Sequence, residues 1–205
     1  ASPAHLIAIR HLIHSAMWLF VSNIPILILE LLGCSIGCSN WAHLGRPKKL
    51  LTVFLGASFA LGVTESILRH LHHTNAWCGH LWSLFILFIL GPFLISRVRY
   101  DCRDFSVALL VIGFMAWMIG VFNYGFNSYH IGGHLCIAIF GFISSLASRD
   151  SNHMDYALAC AFACDIYICC ISLWWHHVYP AYWIVRNLVL AYALYRISRA
   201  IKIHR

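Results

Sequence analysis

Apolar residues dominate this chain, and the scarce polar stretches cut it into seven blocks, 6–33, 50–68, 81–97, 105–122, 130–148, 155–175 and 181–198. A helix crosses the hydrocarbon core of a bilayer with about 20 mainly apolar residues, somewhat fewer when polar ends reach the headgroups. Each block meets that requirement, and the first is long enough to begin as an interfacial segment before it spans. The pattern predicts an all-α polytopic membrane bundle of about seven transmembrane helices. The intervening loops are too short to hold a second domain.

The charges between the blocks are unevenly shared. Alternate loops place Arg46, Lys48, Lys49, Arg97, Arg99, Arg103, Arg149, Arg196, Arg199, Lys202 and Arg205 on one face. The other face has little beyond Arg10 and Arg69, with Arg186 just inside the last block. Basic loops stay on the cytosolic or matrix side of a membrane, so the expected topology is N-terminus out and C-terminus in. The histidines run the opposite way. His5, His11, His14, His70, His72, His73, His80, His130, His134, His176 and His177 fall at or near the outward face, which suggests a polar mouth.

Composition narrows the class. At 205 residues, 61% hydrophobic and 10% charged, the chain has more apolar surface than a soluble domain of its size can hide. Its net charge of +7 therefore speaks to topology. Basic and aromatic residues are not interleaved on a polar face, and no nucleic-acid partner is expected. Most of the nine cysteines, such as Cys160, Cys164, Cys169 and Cys170, lie inside apolar blocks, where cysteine acts as a small hydrophobe. Cys34 and Cys38 sit near a loop, but two sulfurs make a poor metal site without further ligands. The start, "ASPAHLIAIRHLIH", shows no basic-then-apolar signal peptide and has the look of a processed end.

Candidate chemistry concentrates in "NSYHIGGHLCIAIFGF", residues 127–142. At helical spacing His130 and His134 lie one turn apart on one side, with Gly133 and Gly141 nearby. Glycines let a neighbouring helix come close, and an ionisable residue in a membrane helix is a functional candidate by default. The plain alternative is a pair of satisfied interfacial histidines.

This stretch resembles the sixth core helix of rhomboid intramembrane proteases, which carries Ala-His-x-x-Gly-x-x-x-Gly with the histidine as catalytic base. On that resemblance His130 takes the base position and Gly133 the first glycine, while Ile137 stands at the second. Upstream, "HLIAIRHLIHSAMWLFVSNIPILILELLG" is similar to the second rhomboid helix, with His14 at the oxyanion histidine and Glu30 at the family's glutamate. Trp18 stands where the family has asparagine. "GRPKKLLTVFLGASFALGV" resembles the third helix with its basic loop, and "FSVALLVIGFMAWMIGVFN" the fifth. The likeness covers roughly residues 5–148.

The fourth helix, "NAWCGHLWSLFILFILG", departs most. Rhomboid proteases carry Gly-x-Ser-Gly there, and the alignment puts Trp82 at the serine. Ser83 is adjacent, yet one residue is about 100° around a helix. A serine nucleophile needs a base within about 3 Å, so Ser83 is expected to face away from it. With Trp82, Ile137 and Trp18 all bulky where the family is small or polar, the resemblance implies a pseudoprotease with His130 as a remnant.

The expected fold is thus a rhomboid-like core over 1–150, lacking an obvious first rhomboid helix, followed by two further spans over 151–205. The expected function is non-enzymatic: a membrane-embedded subunit or client-binding scaffold, with other transmembrane proteins and lipids as partners. Its groove would be lined by Trp82, His130 and Ile137. No cofactor is favoured. The rival is a zinc-dependent intramembrane hydrolase of ceramidase or adiponectin-receptor type, its metal held by His70, His130 and His134. A haem- or metal-binding membrane anchor is a third class. Asp165, near the middle of its helix, needs a partner, and Arg186 is the plausible one. The N-terminus and the outward N-terminal topology favour a mitochondrial inner membrane, and the endoplasmic reticulum, which fits the charge pattern as well, is the alternative.

Overall fold

In the computed structural model the described residues are 3–71, 76–126, 128, 130–150, 152–175 and 180–202. Side chains are described for these apart from 3–20, 69, 70, 76, 175 and 180. The chain is all-helical among these residues. The elements are α1 (Pro3–Ser39), a 3-10 turn (Trp41–His43), α2 (Arg46–His70), α3 (Ala76–Phe85), a π-helical segment (Ile86–Leu90), α4 (Gly91–Arg97), α5 (Tyr100–Tyr124), α6 (Ile131–Leu146), α7 (His153–Trp175) and α8 (Pro180–Ile201). Because α3, the π segment and α4 form one continuous rod, the described residues make seven rods, each lying over one apolar block of the sequence.

Local chemistry sets the helix ends. Pro180 opens α8, where its missing N–H costs nothing. Asn152 caps α7, its Oδ1 accepting from the N–H groups of Met154 and Asp155 at 2.9 and 3.2 Å. Gly125 ends α5 with φ 77°, and its N–H donates to Val121 O at 2.8 Å.

The rods close into a ring. α1 packs between α2 and α8, α7 lies between α8 and α6, and α6 lies against α5. The α3–α4 rod touches α2, α5 and α6 and completes the circuit. Leu51, Leu55, Leu94, Ile137, Phe140 and Leu194 form the centre of the core, all almost fully buried. The outside is apolar as well. On α5, Phe105, Val111, Ile112, Met115, Ile119 and Phe122 are exposed, a surface that suits lipid and not water.

Among the described residues five helical spans are long and apolar enough to cross a membrane: Val21–Ser39, Arg46–Leu68, Trp77–Arg97, Tyr100–Tyr124 and His153–Trp174. α6 is apolar but shorter, at 16 residues. α8 carries Arg186, Arg196 and Arg199 among its apolar residues.

At one end of the bundle the α4–α5 and α6–α7 connections are bound together. Val98 and Ser148 form an isolated backbone bridge, and Arg149 donates to Val98 O and Ser96 O at 3.2 and 3.1 Å. Arg97 reaches both carboxylate oxygens of buried Asp155, at 3.2 and 2.9 Å. Ser148 Oγ and Asn152 N also donate to that carboxylate. The basic loops that the charge pattern grouped at 97–103 and 149 thus meet in space.

α6 meets α5 with backbone close to backbone. A Cβ built on Gly133 would lie 2.8 Å from Trp117 Cα, whereas one on Gly132 meets nothing within 4 Å. Gly133→Ala is therefore expected to lower stability by about 1–3 kcal/mol through overpacking. Gly132→Ala, one residue away, should be neutral or stabilising by up to about 1 kcal/mol. Reversible unfolding of the two variants in mixed detergent micelles checks the contrast, and equal effects would contradict the packing.

Candidate functional site

The buried face of the α3 rod is set by residues three to four apart: His80, Ser83, Ile86, Leu87 and Leu90. Trp82 points elsewhere and packs on Phe54 of α2, ring centroids 5.5 Å apart. The residue turned toward α6 is Ser83. Its Oγ lies 2.5 Å from His134 Nδ1, both side chains being buried, and 3.1 Å from the carbonyl of Gly79 one turn earlier. With Nδ1 unprotonated, the serine hydroxyl donates to the imidazole, the arrangement that activates a nucleophile. In the other tautomer Nδ1–H donates to Oγ and the hydroxyl turns to Gly79 O. Both tautomers couple Ser83 to His134.

This corrects two sequence expectations. Ser83 does not face away from the base helix, because the 100° step that separates it from Trp82 carries the serine toward α6 and the indole toward α2. The histidine that meets the serine is His134, not His130. α6 begins at Ile131, so His130 is not on a helical turn below His134 but has extended backbone, φ −106° and ψ 99°. Its ring lies against Gly120, where a Cβ would come within 2.9 Å of His130 Cβ, and its Nε2–H donates to Gly125 O at 2.9 Å.

A third imidazole joins the two. His80 is fully buried, with its ring 5.0 Å from that of His130 and 5.9 Å from that of His134, the latter pair nearly parallel at 25°. His80 Nε2 lies 2.8 Å from Ser128 O and must be the donor, since a carbonyl only accepts. The α5–α6 connection is thereby pinned to α3.

Below the serine a small cavity opens toward α7 and α8. Trp82, Ser83, His134, Ile137, Asp165 and Arg186 are among its lining residues. Its free volume of about 60 Å³ is room for a few waters. Trp82 and Ile137, two of the residues expected to line a groove, border this cavity, and the histidine on its wall is His134. On the far wall Arg186 Nε donates to Asp165 Oδ1 at 2.8 Å, the pairing the sequence proposed. Next to Arg186, Asn187 Nδ2 donates to Ser22 Oγ and Asn23 Oδ1 at 3.0 and 2.9 Å, joining α8 to α1.

The remaining candidates are not brought to this site. Gly133 serves the α5 contact described above. The side chains of His14, Trp18 and His70 lie outside the described residues, and with them the oxyanion position and part of the alternative zinc set. Among the described residues no group of three His, Cys, Asp or Glu could hold a metal ion. The sulfurs of Cys34 and Cys38 are 3.9 Å apart, a thiol–thiol contact without a disulfide.

Neither protein-family models, curated proteins nor solved structures yield a match to this chain.

The Asp165–Arg186 pair generates a test of its own. Arg186→Met strands a carboxylate on an apolar wall and is expected to cost about 3 kcal/mol, the low end for a buried pair because both groups border the cavity. Adding Asp165→Leu should recover most of that loss. A double-mutant cycle read by unfolding in micelles checks it, and strictly additive losses would show that the pair is not coupled.

Proposed function

We propose that this chain is a membrane-embedded serine hydrolase in which Ser83 is the nucleophile and His134 its general base. The single observation that carries the reading is the 2.5 Å contact between Ser83 Oγ and His134 Nδ1 across two helices, bordering a cavity that can hold water. In the reaction the Ser83 proton passes to Nδ1 as Oγ attacks the carbonyl carbon of an ester or amide. The same proton is then delivered to the leaving group as the tetrahedral intermediate collapses. A water drawn through the cavity attacks the acyl-serine, His134 taking its proton and returning it to Ser83 Oγ as the carboxylic acid leaves. Arg186, ion-paired with Asp165, adds guanidinium donors to the cavity wall. A serine on one membrane helix reaching a histidine on another is the rhomboid-like arrangement, so rhomboid-like architecture belongs to the same proposal.

A second reading is supported by a different observation. Ser83 is only 1% exposed, and Trp82 and Ile137 add bulk beside it, which leaves a polypeptide substrate little room. On that reading the chain is a non-catalytic rhomboid-like subunit or client-binding scaffold in a larger membrane assembly. Its partners would be transmembrane proteins and lipids, in the mitochondrial inner membrane or the endoplasmic reticulum, with the N-terminus out. Stoichiometric partners that survive purification would favour it.

An alkyl fluorophosphonate separates the two readings. It should phosphonylate Ser83 in the purified protein, fluoride leaving, and Ser83→Ala should abolish the adduct. His134→Ala should slow labelling about 10²–10⁴-fold, while His130→Ala should stay within a few-fold of wild type. Folded protein that takes no label would leave the scaffold reading.

A further inference from the structure

Three acidic side chains at helix–helix contacts in this bundle can be compared directly. Asp155 receives Arg97, Ser148 Oγ and Asn152 N. Asp165 is paired with Arg186 at 2.8 Å. Glu30, in the membrane-spanning part of α1, is treated differently. It is 2% exposed, and its Oε1 accepts one hydrogen bond, from Ser58 Oγ of α2. Its Oε2 is buried with no hydrogen-bond partner among the described residues. A carboxylate oxygen left bare in an apolar interior is costly enough that such sites are normally filled by a proton, an ion or a hydrogen-bond donor.

The surroundings supply little competing charge. Across from Oε2 stands Gly62 of α2, where a Cβ would lie 3.8 Å from that oxygen, ordinary contact distance, and 2.7 Å from Leu27 Cδ2, so the oxygen faces a closely packed apolar wall. From α8 the field of Arg186 reaches Glu30, but that guanidinium is engaged by Asp165 and is not within ion-pair distance of Glu30. On α1 the nearest polar groups toward its start, Ser22 and Asn23, are two helical turns away and bound to Asn187, and in the other direction Ser35 lies between one and two turns on. α2 contributes the hydroxyl of Ser58 and no charge at this point.

We propose that the Glu30 carboxyl, with Ser58, is a binding site for a small monovalent cation, a proton or an alkali ion, inside the membrane between α1 and α2. The site is separate from the Ser83–His134 pair and does not depend on that pair being catalytic. It makes uptake of one cation part of how α1 and α2 stay together.

Infrared difference spectra of the protein in lipid nanodiscs, stepped in pH and in sodium and compared with Glu30→Gln, test the site. The glutamine variant keeps the side-chain length and the acceptor for Ser58, so the fold is retained. If a proton is the ligand, wild type shows a carboxylic-acid C=O band that follows pH, ignores sodium and is absent from Glu30→Gln. If an alkali ion is the ligand, the carboxylate bands assigned to Glu30 shift with sodium. A hydrophobic carbodiimide gives a second readout. The acid proton moves to one carbodiimide nitrogen, the carboxyl oxygen bonds to the central carbon, and acyl transfer leaves a stable N-acylurea. That adduct should form at least tenfold faster on the Glu30 peptide than on those of Asp155 and Asp165, and sodium should block it only in the alkali-ion case. Spectra of wild type and Glu30→Gln that do not differ in any carboxyl band, at any pH or sodium concentration, would overturn the proposal.

Discussion

The contact of α6 and the residue before it with α5, made through Gly113, Gly120 and Gly133, fixes the rotation of α6 and with it the direction of His134. On Gly113 lies Ile137, on Gly120 lies His130, and Gly133 rests on the backbone of Trp117. Three missing side chains let two helices touch almost backbone to backbone, the arrangement that dispersion forces favour where water supplies no hydrophobic drive between helices. Gly141 does the same on the other side, where the Phe162 ring of α7 fills the place a Cβ would take. Held on both sides, the 16-residue α6 has one orientation left, and it presents His134 to α3.

Polar side chains elsewhere follow one rule. Polar contacts join the helices across the bundle: Ser58 with Glu30 for α2 and α1, Asn187 with Ser22 and Asn23 for α8 and α1, Arg186 with Asp165 for α8 and α7, Arg97 with Asp155 for α4 and α7, and Ser83 with His134 for α3 and α6. In an apolar solvent each such group is unfavourable alone, so each pair acts as a rotational stop for two helices at once. Apolar packing supplies the bulk of the contact area, and these few bonds decide which faces meet.

Much of the architecture was legible in the sequence because hydrocarbon thickness is a hard ruler. The seven blocks read from apolar runs coincide with the seven rods to within a few residues at most ends, and the requirement that a mid-membrane acid find a base led from Asp165 to Arg186. The site was legible in kind and missed in register. A wheel drawn through 130 and 134 assumes both are helical, but α6 starts after His130, and the loop carbonyl of Gly125 claims that ring. Likewise, matching Trp82 to the serine position of a known pattern ignored the side chain's own preference: a large indole finds Phe54 of α2, and the small serine is what fits against α6. A reading based on size would have found Ser83 from the buried spacing of His80, Ser83, Leu87 and Leu90.

The π-helical segment Ile86–Leu90, immediately after Ser83, has a bearing on the history of such a site. A π turn is an α-helix with one residue added and not yet absorbed, and such turns gather at functional positions. Absorbing the extra residue into regular α-helix would turn everything before it by about 100° relative to α4. Leu84 would then occupy the point where Ser83 now meets His134. Keeping that turn open is thus what sets a hydroxyl, and not an alkyl side chain, against the histidine, with no substitution at either residue.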